Sequence, residues 1–236
     1  MKYLPHTIMT YLSRLGYWLL PQSCFLCGDI SHQPLCHACL ADLPYQQTAC
    51  NRCAYVLCSI SETCENCRRE PVVFEDAKTV FAYEYPVDKL IHAAKFHQNL
   101  AILDLLGQLM AQYITVETLP DVLIPVPLHP SGLRSRGYNQ ALELAKVIAR
   151  YHHIPLDYTA CQCIKKKRKQ STLSGRSERR KNVQGIFQVK QVKSHWQHVV
   201  LVDDVVTTGE TANELAKVFL QAGIQRVSVW CCARRN

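Results

Sequence analysis

No run of ~18 or more apolar residues occurs in this 236-residue chain, so a transmembrane helix is not expected. Acids are the scarcer charge: 19 Asp plus Glu stand against 27 Lys plus Arg, a formal net charge of +8. The thirteen cysteines lack the spacing of a secreted disulfide framework. A clear signal peptide is missing as well, because Pro5, His6 and Arg14 interrupt the apolar character of residues 1–20 and no small-residue cleavage site follows. These absences argue against membrane-spanning and disulfide-stapled secreted classes. What remains is a chain with 48% apolar residues, enough for a folded core, and a length that suits one ordinary domain plus a small one.

Ile8, Tyr11, Leu12, Leu15 and Leu19 fall on one helical face, which predicts a short amphipathic helix over residues 1–20, packed on the body or lying on a membrane surface. Residues 21–70 hold the cysteines that carry chemistry. Eight of the thirteen form four Cys-x-x-Cys pairs: Cys24 and Cys27, Cys36 and Cys39, Cys50 and Cys53, Cys64 and Cys67. Each such turn places two thiolates on one tetrahedral ion, and two turns complete a closed structural site. Sequential pairing gives two zinc ions. The segment is poor in apolar residues, so metal is expected to supply much of its folding energy. Cys58 lies between the pairs without a partner of its own. Cys161, Cys163, Cys231 and Cys232 stand in apolar, strand-like surroundings and are expected in the core.

The body of the chain, residues 71–236, is organised around Val199-Val-Leu-Val-Asp-Asp-Val-Val-Thr-Thr-Gly-Glu-Thr211. The apolar run Val199 to Val202 predicts a buried strand, with Asp203 and Asp204 at its end. A turn at Thr207, Thr208 and Gly209 follows, then a helix from Glu210 to Ala222 with Ala212, Leu215, Ala216 and Phe219 on one face. The first turn of such a helix offers free N–H groups and partial positive charge to an anion. Glycine lets the backbone approach, and threonine hydroxyls donate to phosphate oxygens. The aspartates only accept, which suits sugar hydroxyls or metal-bound water. The segment therefore fits either a sugar-phosphate site or an ordinary strand-turn-helix with solvated acids.

A second strand, loop and helix precede it. Asp121-Val-Leu-Ile-Pro-Val-Pro-Leu-His129 reads as a strand running into a Pro-rich turn. A basic loop, Arg134 to Asn139, comes next, then a helix with Ala141, Leu144, Ala145 and Ile148 on one face. Upstream, Val72 to Tyr85 predicts a strand pair, Asp88 to His97 a helix with Lys95 near its end, and Leu100 to Tyr113 an amphipathic helix. Nine basic residues and one acid, Glu178, lie between Lys165 and Lys181. That density suits a phosphate-rich ligand or nucleic acid, or a solvated loop. The long polar stretch over 165–185 also has the character of a lid, with Gln170, Leu173, Arg179, Arg180 and Asn182 as its candidate contacts.

The stretch of two acids, two variable positions and Thr-Thr-Gly resembles the phosphoribosyl pyrophosphate (PRPP) motif of type I phosphoribosyltransferases. The whole layout is similar to the ComF/GntX-like competence proteins, a double zinc ribbon followed by such a domain. The residues that carry this resemblance are the four Cys-x-x-Cys pairs, Leu90-Ile-His-Ala-Ala-Lys95, Val126-Pro-Leu-His-Pro130, Arg136-Gly-Tyr-Asn-Gln140, Gln170 with Leu173-Ser174, Arg179-Arg-Lys-Asn182 and the Asp203-Asp204 motif. It covers the chain from about Pro21 onward.

The resemblance implies an α/β, Rossmann-like fold, a mainly parallel sheet flanked by helices, behind a small N-terminal double zinc ribbon. It implies that Asp203 and Asp204 hold the ribose hydroxyls and that Thr207, Thr208, Gly209, Glu210 and Thr211 hold the 5′-phosphate. Pro127, Leu128 and His129 would form the pyrophosphate loop, with charge from Arg136, Arg134, Lys95 and Arg179. Mg²⁺ would enter with PRPP. Two functions follow from the family: an enzyme in which a nucleophile displaces pyrophosphate at C1 of the ribose, or a non-catalytic PRPP sensor that contacts single-stranded DNA and DNA-import proteins. Members are cytoplasmic and associated with competence or with the use of imported DNA.

Overall fold

The structure, a computed structural model, describes residues 22–57, 63–96, 99–165 and 182–235. The helix expected over 1–20, Cys58, and the lid positions Gln170, Leu173, Arg179 and Arg180 lie outside them. The chain forms two compact units that divide between Leu43 and Pro44. The division falls between the two cysteine sets, so the second set belongs to the larger unit.

In the smaller unit β1 (Gln22–Ser23) pairs antiparallel with β2 (Ile30–Ser31), and α1 (His37–Ala41) follows. Gly28 takes φ +83 and donates to the Cys24 carbonyl, closing the turn that carries the first cysteine pair.

The larger unit opens on the second cysteine set and the short α2 (Glu65–Arg69). Four strands then make a wholly parallel sheet: β3 (Asp76–Ala82), β4 (Val122–Pro125), β7 (His198–Val206) and β8 (Arg226–Arg234), in the order β3-β8-β7-β4. Parallel strands need crossovers that cover both faces, which explains the near-continuous apolar runs of β4, β7 and β8. On one face lie α3 (Val87–Phe96), α4 (Leu100–Tyr113) and α6 (Gln140–His152). On the other lies α7 (Glu210–Gln221), which also touches a small antiparallel pair, β5 (Cys161–Cys163) with β6 (Phe187–Val189). Val199 and Leu201 of β7 pack with Ala212, Leu215 and Phe219 of α7 in one core. Cys50, Cys53, Cys64, Cys67 and Phe74 share it. The second ribbon thus packs on the sheet unit's own apolar interior. Cys161, Cys163, Cys231 and Cys232 are buried as expected. Among the described residues no helix is long and apolar enough to cross a membrane.

Three local expectations are corrected. Val72 to Tyr85 holds one strand, not two: Val72 and Phe74 are buried ahead of β3, and their carbonyls accept from the Arg52 guanidinium instead of a neighbouring strand. The strand through Val199 runs on to Val206, because β8 offers ladder partners as far as Arg234, so both aspartates lie within β7. The basic loop holds a helix, α5 (Pro130–Arg136). His129 caps it, Pro130 sits in its first turn where a missing N–H costs nothing, and Gly137 ends it at φ +81.

Candidate functional site

The carboxyl ends of β4 and β7 are neighbours, so the segments leaving them meet at one edge of the sheet. There they enclose a cavity of about 240 Å³. The β4 side contributes Val126, Pro127 and Leu128, and the start of α6 contributes Asn139 and Gln140. The β7 side contributes Asp203, Asp204, Val205, Val206, Thr207, Gly209, Glu210 and Thr211. Lys95 at the end of α3, Arg136 at the end of α5, and Ala141 and Ala212 in the first turns of α6 and α7 complete the lining.

Neighbours on a strand leave it on opposite faces, so Asp203 and Asp204 project from the two faces of β7 near the end of its ladder, and the cavity is lined by both. Lys95 Nζ lies 2.8 Å from Asp204 Oδ2. Burial works against the Lys95 charge, yet the field and hydrogen bond of Asp204, with Asp203 behind it, hold its pKa above the ordinary value. Arg136 donates from Nη1 to Gln140 Oε1 at 3.0 Å and stands 5.9 Å from the Phe96 ring centroid. Asn139 caps α6, accepting from Ala141 N while donating to the Val126 carbonyl, and so ties the loop after β4 to that helix. The Tyr138 hydroxyl donates to the Ala94 carbonyl, next to Lys95.

Gly209 is the N-cap of α7 at φ +80, and it brings no side-chain cap. A helix start without a side-chain cap presents its first N–H groups to whatever occupies the cavity. Glu210, in that first turn, is buried, and Thr207 and Thr211 add hydroxyls to the lining.

Ten residues singled out in the sequence therefore share this cavity: Lys95, Pro127, Leu128, Arg136, Asp203, Asp204, Thr207, Gly209, Glu210 and Thr211. His129 and Thr208 do not line it. His129 Nδ1 instead accepts from Ser131 N as the α5 cap, and Arg134 sits exposed on that helix. Asn139 and Gln140 were legible as part of a motif but not as lining residues.

The cysteines form two sets, Cys24, Cys27, Cys36, Cys39 and Cys50, Cys53, Cys64, Cys67, each with its four sulfurs within 4.8 Å of one another. The two repeat one plan. Cys36 N donates to Cys24 Sγ and Cys39 N to Cys36 Sγ; Cys64 N donates to Cys50 Sγ and Cys67 N to Cys64 Sγ. Sγ atoms stand 3.7 Å apart for Cys27 and Cys36, and 3.6 Å for Cys53 and Cys64. Zinc–sulfur bonds of ~2.3 Å in a tetrahedron require an edge of about 3.8 Å, so both sets fit a structural zinc ion with no open position. Burial resists ionisation, but the backbone donors bring Cys24 down to about 6 and Cys50 to about 7. Burial and neighbouring thiols push Cys39 and Cys67 well up, and a bound cation is what favours four thiolates together.

A double zinc ribbon family profile matches residues 15–68. The DNA utilization protein YhgH of Escherichia coli O157:H7 is 32% identical over 224 residues, 91% of this chain and 98% of its own. Competence protein F of Haemophilus influenzae is 31% identical over 218 residues, 87% of this chain and 92% of its own. Competence protein ComFC of Bacillus subtilis is 25% identical over 174 residues, 70% and 69% of the two chains. A purine phosphoribosyltransferase from Pyrococcus horikoshii overlaps 68% of this chain and 78% of its own, with 20% identity and a TM-score of 0.32, too loose to identify a ligand. With two four-cysteine sites ahead of a parallel sheet and near-full-length relatives above 30% identity, this chain belongs to the ComF-like family.

Proposed function

We propose that the cavity binds PRPP with Mg²⁺, and that the protein serves DNA uptake or the use of imported DNA in the cytoplasm. The observation that carries the reading is that both aspartates and the glycine-capped start of α7 line one cavity with two cations. Asp203 and Asp204 accept from the ribose hydroxyls. The N–H groups after Gly209, with Thr207 and Thr211, take the 5′-phosphate. Arg136, Lys95 and the backbone at Pro127 and Leu128 face the pyrophosphate. In a transfer reaction these charges would stabilise the departing pyrophosphate, while the aspartates would hold the sugar as positive charge develops at C1.

Mg²⁺ fits this lining for a reason of charge. Among the described residues it holds two cations, Lys95 and Arg136, against three carboxylates, Asp203, Asp204 and Glu210. A polyphosphate needs positive charge brought with it. Asp203 offers a hard oxygen ligand of the kind Mg²⁺ takes. When bound, the ion would neutralise phosphate oxygens and draw charge from the leaving group.

A second reading, a PRPP sensor without transferase activity that contacts single-stranded DNA, is favoured by the absence of any aromatic side chain among the described lining residues. Among these residues no ring is offered to a base, and the Arg136 guanidinium is the flat cation that remains. The names of the relatives, DNA utilization protein and competence protein, support the DNA context of either reading.

Calorimetry with PRPP and Mg²⁺ tests the shared part. Binding by the wild type that is lost in Asp203→Ala with Asp204→Ala is expected, and no binding by the wild type rejects both readings. A pyrophosphate-release screen over free bases separates them: release with some base identifies the transferase, and none with any base favours the sensor.

A further inference from the structure

Arg234, at the end of β8, is buried to 5% exposure, and among the described residues its guanidinium donates to carbonyls and meets no carboxylate. Its Nε donates to the Cys53 carbonyl at 3.0 Å. Its Nη1 points at the carbonyls of Val206, at 3.1 Å, of Arg235, at 2.7 Å, and of Thr207. The guanidinium stands 5.6 Å from the Tyr55 ring centroid. One planar group therefore touches the second cysteine turn with one edge and the segment entering the Thr207-Thr208-Gly209 bend with the other.

The place of contact matters. The β7–β8 ladder ends with Val206 opposite Arg234, and the Val206 carbonyl already accepts from Arg235 N. The Thr207 carbonyl lies one residue beyond, where strand pairing no longer holds the chain. A second arginine from the same cysteine turn, Arg52, holds the other side. Its Nη2 donates to the Val72 and Phe74 carbonyls at 3.1 Å each, and between them Val73 N donates to Asn213 Oδ1 at 2.7 Å, in the first turns of α7. Asn213 N in turn donates to the Gly209 carbonyl at 2.8 Å. A buried cation without an acid is costly unless charge nearby compensates it. Four thiolates around a divalent ion would make a dianionic centre, and the Arg234 guanidinium donates to the backbone of one of those four cysteines.

We infer that Arg234 is a positioning residue that couples the second zinc site to the bend at Thr207 to Gly209, so that metal at Cys50, Cys53, Cys64 and Cys67 holds the bend in its ligand-ready shape. The consequence for binding rests on the reading of that bend as a phosphate loop; the mechanical link does not. Lysine keeps the charge but cannot reach both edges at once, because its donors share one nitrogen.

The test is amide hydrogen exchange on the full zinc-loaded chain. In Arg234→Lys, with two zinc ions per chain retained, the amides of Thr207, Thr208 and Gly209 should exchange at least tenfold faster, while the interior amides of α6 stay unchanged. Arg235→Gln, altering an exposed side chain next door, should leave both unchanged. Should Arg234→Lys fail to fold, the wild type answers instead under a limiting chelator. Exchange at Thr207 to Gly209 should then rise in step with zinc lost from the Cys50 set and ahead of α6. Bend amides that keep wild-type rates in zinc-loaded Arg234→Lys, or that open only together with α6 on zinc loss, overturn the coupling. Calorimetry with PRPP and Mg²⁺ is the second arm, and Arg234→Lys should bind at least tenfold more weakly. If the wild type binds no PRPP, the proposed ligand falls, while the exchange data still decide the coupling.

Discussion

The ammonium of Lys95 and the carboxylate of Asp204 stand 2.8 Å apart with their side chains 20% and 14% exposed, so the candidate cavity holds an ion pair before any ligand arrives. Removing one partner strands the other. Lys95→Met is expected to cost about 3 kcal/mol, and Lys95→Met with Asp204→Asn to recover most of it. The double-mutant cycle, read by urea unfolding, should give a coupling of at least about 2 kcal/mol. Lys95 titrates above its ordinary value in the folded chain: burial opposes its charge, and Asp204 more than offsets that. Its contribution is therefore complete below the unfolded value of 10.5 and is lost only as pH rises through the higher folded value. The coupling should be the same at neutral and mildly alkaline pH, and a fall across that range would contradict the assignment.

How far this site was legible can be followed through its residues. Asp203, Asp204 and Gly209 stood out because a buried strand, two acids and a glycine turn leave a periodic and compositional trace. Lys95 had no such trace: it reaches the cavity through the packing of α3 on the sheet, and only a family motif pointed to it. His129 looked like a site residue, but the local chemistry of Pro130 and Gly137 turned the segment into a helix that uses it as a cap. β7 extends past its apolar run because strand ends are set by the neighbour, here β8, which a single strand's residues do not encode. Arg234 was illegible for the same reason, since three of its four carbonyl partners come from two distant segments of the chain and the fourth from its own neighbour.

Gly209 makes a sharper prediction about the bend. It holds φ +80, and a methyl group there would meet only Val206 Cγ1 at 4.0 Å. Gly209→Ala is therefore a test of backbone conformation and not of crowding. The left-handed geometry should cost about 1–2 kcal/mol, a fall in Tm of about 2–8 °C at this chain length. Calorimetry should find PRPP with Mg²⁺ bound more weakly by this variant, because the bend can relax only by withdrawing the α7 amides. An unchanged Tm would mean the bend is not held in this conformation in solution.

His198 gives the protein an acid-side sensitivity away from the cavity. Ser228 Oγ donates to Asp76 Oδ1 at 2.6 Å, so its one proton is spent there and it accepts from His198 Nε2 at 2.9 Å. That places a proton on Nε2 in both the neutral and the charged ring, so charging adds the second proton at Nδ1. Burial, with help from Arg226, lowers the His198 pKa below 6.5. A depressed value means its contribution is complete above the unfolded value of 6.5 and is lost as pH falls through the folded one. His198→Gln keeps a donor without a titrating ring. Urea midpoints between about pH 5 and pH 8 should fall less toward acid in this variant than in the wild type.

The two metal sites should separate under a chelator. All of Cys50, Cys53, Cys64 and Cys67 are buried, and they share a core with α7 and the sheet. In the other set Cys27 is exposed, and Cys36 and Cys39 are half-buried. Ligand exchange at zinc needs solvent and competing ligand to reach the sulfurs, so the Cys24 set should release its ion first. Its loss should leave the sheet unit's secondary structure unchanged. Release from the Cys50 set needs the ribbon to leave the core, so it should coincide with a fall in the helical circular dichroism of the larger unit. Zinc release followed by a metal-binding dye, recorded together with the spectrum, checks both steps. A single release phase with no spectral change would show that the second site opens independently of the core around it.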